Sequence, residues 1–207
     1  MTRVGILLSG NGSNMEALVR GMQAQPEEAQ PKLVLSNNPD AGGLARAAAL
    51  GVATAVVDHR PFTGDRAAFE AAMMVELDRA GIEMIALAGF MRIMTPATIQ
   101  HWQGRMINIH PSILPLFKGL HTHARALEAG VAVHGCTVHV VTEELDSGPI
   151  LGQAVVPVRG GDTPDRLAAR VLKAEHLIYP RALQAFARDP DALLAAPISM
   201  LGLPDDG

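Results

Sequence analysis

Met106 to Lys118 reads MINIHPSILPLFK, and within it a strand runs out at a definite place. Met106, Ile107 and Ile109 have the character of a buried strand, and Pro111 and Pro115 forbid its continuation as an internal sheet element. The chain therefore stops at a ledge. Side chains two apart on a strand share a face, so Asn108 and His110 project together at the carboxyl end, where open α/β sheets bind ligands. A carboxamide and an imidazole aimed at one point can stabilise a developing oxyanion and shuttle a proton, as acyl-type transfer requires. Taken alone, the pair also fits a turn-capping asparagine beside a satisfied, half-buried histidine, and the remainder of the chain has to decide.

With 207 residues, 48% hydrophobic and 18% charged, there is enough apolar material for one domain with a real core. A net charge of −4 gives no electrostatic footprint for nucleic acid or an anionic membrane, so any phosphate has to be held locally. Aromatic residues at 3% argue against a stacking platform for single-stranded nucleic acid. Cys136 is the single cysteine, which excludes an internal disulfide and a cysteine-based zinc site; its surroundings, HGCTVHVV, read as strand core. No stretch approaches the roughly 18 apolar residues of a membrane span. No secretory pattern opens the chain, so the expected setting is cytoplasmic.

Val4 to Ser9 is an apolar run followed by Gly10-Asn11-Gly12-Ser13-Asn14, then Met15, Leu18, Val19 and Met22 at helical spacing: strand, tight loop, helix. The free N–H groups of the first helical turn, with the Ser13 hydroxyl, make a cradle for a phosphate monoester, or simply a turn. A third glycine and an acidic residue after the second strand, Lys32 to Ser36, are missing, which counts against a dinucleotide. A helix over 43–50, a strand over 52–57, a helix over 66–79 and a buried strand over 83–88 follow. The loop Gly89-Phe90-Met91-Arg92-Ile93-Met94 comes next, suited to a flat heterocycle or to tucking its side chains back into the core. Thr95 caps a short helix, Pro96 to His101. Up to residue 110 the alternation predicts a doubly wound parallel sheet.

Beyond the Pro111 turn, a helix near 124–129 precedes two strands, 136–141 and 150–156, joined by so short a loop that they must be antiparallel. That loop carries Asp146, in a sequence that also favours a plain turn. Thr163-Pro164-Asp165 starts a helix running to Arg188, with a kink expected at Pro180. Residues 190–207 show no period and are expected as a loosely packed tail after a single domain, 1–189. Seven of the eight histidines fall between 101 and 176, but no metal-binding spacing is present. His121, His123, His134 and His139 are expected to line a polar crevice without a metal.

Six pieces now coincide in order: GNGSN at 10–14, AGFMRI at 88–93, NIHPSILP at 108–115, GLHTH at 119–123, HGCTVH at 134–139 and ELDSGP at 144–149. Together, over residues 3–188, they resemble the phosphoribosylglycinamide formyltransferases, folate-dependent enzymes of purine synthesis. The resemblance implies a three-layer α/β/α, Rossmann-like fold: a mostly parallel sheet of about seven strands with one antiparallel strand near the C-terminal edge. It implies transfer of the formyl group of 10-formyltetrahydrofolate to the amine of glycinamide ribonucleotide, with no metal, in a monomer or homodimer. Asn108, His110 and Asp146 match the catalytic trio. Gly12, Ser13, Asn14 and Glu175 match ribonucleotide contacts, and the folate set is Arg66, Met91, Arg92, Ile93, Met94, Asn108, Thr142, Glu143, Glu144, Leu145 and Asp146. Asn108 and protonated His110 would stabilise the tetrahedral oxyanion, and Asp146 would favour the imidazolium and help move the proton from amine to leaving N10. Two departures stand out: Leu172, with Lys173 beside it, where a polar residue sometimes precedes the helix glutamate, and Leu116-Phe117-Lys118 in the turn.

Overall fold

Val4, Ile6, Leu7 and Leu8 are fully buried, as a strand covered on both faces must be. They belong to β1 (Thr2–Leu8), the first of a series continuing with α1 (Ser13–Ala24), β2 (Ala29–Ser36), α2 (Gly42–Ala49), β3 (Ala53–Val56), α3 (Arg66–Arg79), β4 (Met84–Leu87), α4 (Pro96–His101) and β5 (Met106–His110). A computed structural model describes residues 1–202. The chain divides into two compact units, with the boundary between Ile107 and Asn108 inside β5.

In the first unit the strand order is β3-β2-β1-β4 and every pairing is parallel. β2 begins earlier than its apolar run because it accommodates Pro31, where the ladder shifts register: Val4 pairs with Pro31 and Gly5 already with Leu33. A residue without an N–H is tolerated at such a break. α1 buries the predicted stripe of Met15, Leu18, Val19 and Met22. α4 starts where the Thr95-Pro96 pair predicts, with the Thr95 side chain accepting from the Thr98 N–H.

The second unit contains the end of β5, α5 (Thr122–Glu128), β6 (Val133–Val140), β7 (Ile150–Pro157), α6 (Pro164–Arg188), α7 (Pro190–Ala195) and β8 (Ile198–Leu201), with strand order β5-β6-β7-β8. β6 and β7 pair antiparallel, as their short connection demands. β8 then pairs parallel with β7, so the antiparallel pairing lies near the C-terminal edge of a mostly parallel sheet, as expected, and the described strands number eight, one more than the seven or so anticipated. α6 continues through Pro180 as one helix of 25 residues, capped by Thr163.

Residues 190–201, expected as loose tail, carry α7 and β8. Asp189 accepts from the Ala192 N–H and Pro190 follows it, a helix start as much as a helix stop, and Leu193 is buried. Residues 203–207 of that segment lie outside the described residues. Among the described residues no helix is long and apolar enough to cross a membrane.

Candidate active site

The turn after β5 is held by β6 and β7. The Thr137 hydroxyl donates to Ser112 O at 2.7 Å and accepts the Leu114 N–H at 3.0 Å, while Gln153 Nε2 donates to Leu114 O at 2.8 Å. Ser112 Oγ closes the turn onto Leu116 O at 2.6 Å, and the Leu114–Pro115 peptide is cis. These hydrogen bonds tie the turn down directly after the strand that carries Asn108 and His110.

His110, buried, presents Nδ1 to Asp146 Oδ2 at 3.5 Å and Nε2 to Phe117 O at 3.1 Å. Asp146 also accepts the Gly119 N–H at 2.9 Å. Asp146, Phe117 and His121 are the described non-glycine residues with positive φ (50°, 55° and 58°), and all lie on the two loops that meet here. Strain gathered at one place is characteristic of a functional site. Gly148 keeps the Asp146 loop down: a Cβ there would stand 1.8 Å from Val140 O.

His139 joins the two halves of the cluster. Its Nδ1 lies 3.0 Å from Val140 O, which makes that nitrogen the donor and leaves Nε2 to accept from Asn108 Nδ2 at 3.3 Å. Burial pushes the His139 imidazole below its ordinary pKa and favours this neutral form. Asp146 Oδ1 lies 3.8 Å from the same nitrogen. With one amide hydrogen on His139, Asn108 has a second N–H to donate. The sequence placed His139 only in a crevice wall; its separation of 31 residues from Asn108 gives no local signal of the link. Cys136, fully buried and with its thiol pushed up by burial, is core.

In the first unit, Gly12 stands at the amino end of α1 with φ 75° and no side-chain cap. A Cβ on it would come 2.7 Å from Gly43 Cα, so the loop is packed directly against backbone. Ser13 and Asn14 are half-buried. The glycine loop and the loop after β4 adjoin: Ser9 N donates to Gly89 O, and Ser9 Oγ accepts the Met91 N–H at 2.8 Å. Met91, Arg92 and Ile93 are exposed whereas Met94 is buried. Arg92 lies over the Phe69 ring, and Arg66 is exposed at the start of the same α3.

In the second unit, Glu175 is buried on α6. Thr142 is half-buried, and Glu143, Glu144 and Leu145 are exposed on the Asp146 loop, where Glu144 meets Lys118 Nζ at 3.2 Å. No group of three or more His, Cys, Asp or Glu among the described residues is placed to hold a metal ion.

Residues 2–183 match the family model described as formyl transferase. The chain is 45% identical to the phosphoribosylglycinamide formyltransferase of Escherichia coli K12, over 88% of this chain and 85% of that one. It is likewise 45% identical to the human trifunctional purine biosynthetic protein adenosine-3, over 89% of this chain but spanning only 18% of that longer protein. Among solved structures, the phosphoribosylglycinamide formyltransferase of Brucella melitensis matches with 54% identity and a TM-score of 0.85, over 90% of this chain and 95% of the other. With residues 2–183 matching the formyl transferase model and 45–54% identity to phosphoribosylglycinamide formyltransferases over about nine-tenths of its length, the chain belongs to the phosphoribosylglycinamide formyltransferase family.

Proposed function

We propose that the protein transfers the formyl group of 10-formyltetrahydrofolate directly to the amine of glycinamide ribonucleotide, a step of purine synthesis. The observation that carries this reading is the Asn108–His139–Asp146–His110 cluster: an amide hydrogen left free by its partner, beside an imidazole that faces a carboxylate. The amine attacks the formyl carbon, and the carbonyl oxygen gains charge as the tetrahedral intermediate forms. Asn108 Nδ2–H and the His110 N–H now directed at Phe117 O stabilise that oxyanion, the Phe117 carbonyl giving way to it. As the bond from carbon to N10 breaks, the proton lost by the amine passes through His110 and Asp146 to N10. Formyl carbon, proton and leaving group are then accounted for without a covalent enzyme intermediate.

Binding is assigned by chemistry. Gly12, Ser13 and Asn14 take the phosphate, because the uncapped amino end of α1 offers N–H donors and a positive dipole end. Glu175 takes the ribonucleotide. Met91 to Met94, Arg66 and residues 142–146 take the folate, with Met91 and Ile93 supplying apolar contact and Arg66 charge. The protein is cytoplasmic in this reading and needs no metal. The test is absorbance-monitored formyl transfer with glycinamide ribonucleotide, formate being measured in parallel. Transfer without free formate is expected; formate released independently of the ribonucleotide would make the enzyme a hydrolase instead.

A further inference from the structure

α3 buries Phe69, Glu70, Met73 and Leu77 on one face, so a carboxylate sits where apolar spacing calls for core. Glu70 is 3% exposed. A buried carboxylate is tolerated only when its oxygens are hydrogen-bonded, and those of Glu70 are all directed to one place. Oε1 accepts the Thr95 N–H at 2.9 Å, and Oε2 accepts the hydroxyls of Thr95 and Thr98 at 2.5 Å each. Thr95 ends the loop after β4 and caps α4. At the other end of that loop, the Met91 N–H donates to Ser9 Oγ, whose own proton goes to Asn37 Oδ1 at 2.6 Å.

Between these stakes the chain has no regular structure and displays Met91 and Ile93 at 72% and 67% exposure. An untethered loop would bury such side chains; a staked one presents them to a ligand.

We propose that Glu70 is a positioning residue for the folate co-substrate, fixing the far end of the 91–94 loop so that its apolar residues are ordered before binding. This rests on the reading of that loop as the pteridine site. Prior ordering removes part of the cost of association, so its loss appears in co-substrate binding and not in the chemical step. In steady-state kinetics, Glu70→Ala is expected to raise KM for 10-formyltetrahydrofolate about tenfold, with kcat and the ribonucleotide KM within about threefold. Glu70→Gln, whose amide oxygen still accepts the Thr95 N–H, stays within about threefold of wild type throughout. Should Glu70→Ala not fold, Thr95→Val carries the test, with a rise in folate KM of about threefold or more. An unchanged folate KM, an equal rise in both KM values, or a loss confined to kcat would overturn the proposal. Wild-type enzyme without transferase activity would strike the functional reading alone. Equilibrium dialysis with tetrahydrofolate then decides: weaker binding by Glu70→Ala supports the positioning role, and equal binding, or none by wild type, refutes it.

Discussion

Replacing His139 with leucine removes one acceptor while keeping much of the apolar volume in β6. The imidazole now takes one Asn108 amide hydrogen at 3.3 Å, and the proposed mechanism assigns the other to the oxyanion. Its Nδ1–H is tied to Val140 O at 3.0 Å, so the ring cannot act as the donor without breaking that bond. A neutral hydrogen bond is worth about 1 kcal/mol net, whereas complete loss of an oxyanion donor costs roughly 3 to 4 kcal/mol. His139→Leu loosens Asn108 without deleting it, so kcat should fall about tenfold, with both KM values nearly unchanged.

A double-mutant cycle sharpens the test. Because the effect runs through Asn108, the Asn108→Ala/His139→Leu enzyme should be no more than about twofold slower than Asn108→Ala. A kcat unaffected by His139→Leu, or losses that multiply in the double variant, would refute the link. The pH profile gives a second readout. Burial lowers the His139 pKa, so the neutral acceptor is present above that pKa and is lost as pH falls through it. His139→Leu should therefore remove a contribution to the acid limb of kcat.

Two more outcomes concern stability. His134 is almost fully buried, its Nε2 has no partner among the described residues, and burial lowers its pKa to about 4. A depressed histidine contributes stability that is complete above the unfolded value of about 6.5 and lost as pH falls toward 4, up to about 3 kcal/mol. His123, against the same ring, is shifted the same way. Urea midpoints between pH 7 and 4 should show this loss, and a pH-independent midpoint would contradict it. Gly148→Ala should cost about 1 to 3 kcal/mol or more, because its Cβ would collide with Val140 O, and it should reduce kcat by displacing Asp146; unaltered stability and turnover would show that the loop can give.

The ledge at 106–110 was legible because a strand that must end at proline is a local matter, and the observed strand, Met106–His110, does end directly before Pro111. Thr95-Pro96 and Thr163-Pro164 were legible for the same reason. The segment 190–201 was not. Asp189-Pro190 ends one helix and begins another, and β8 exists because β7 offers it an edge, with little support from its own composition. The partners of Asn108, His110 and Glu70 were hidden by distance along the chain: 31 residues to His139, a backbone carbonyl at Phe117, and 25 residues to Thr95. Sequence pattern states which residues share a face of one element. Which hydrogen bond closes between two elements depends on register and loop geometry that no single segment encodes.

The most direct measurement is the rate of the chemical step itself, followed in single turnover with enzyme in excess over both substrates, for wild type, Asn108→Ala and His110→Ala. Loss of an oxyanion donor predicts a step slower by about 100-fold or more in Asn108→Ala, and a comparable loss in His110→Ala, with substrates still bound. Either variant transferring formyl at close to the wild-type rate would contradict the assignment of these side chains to the reacting carbon.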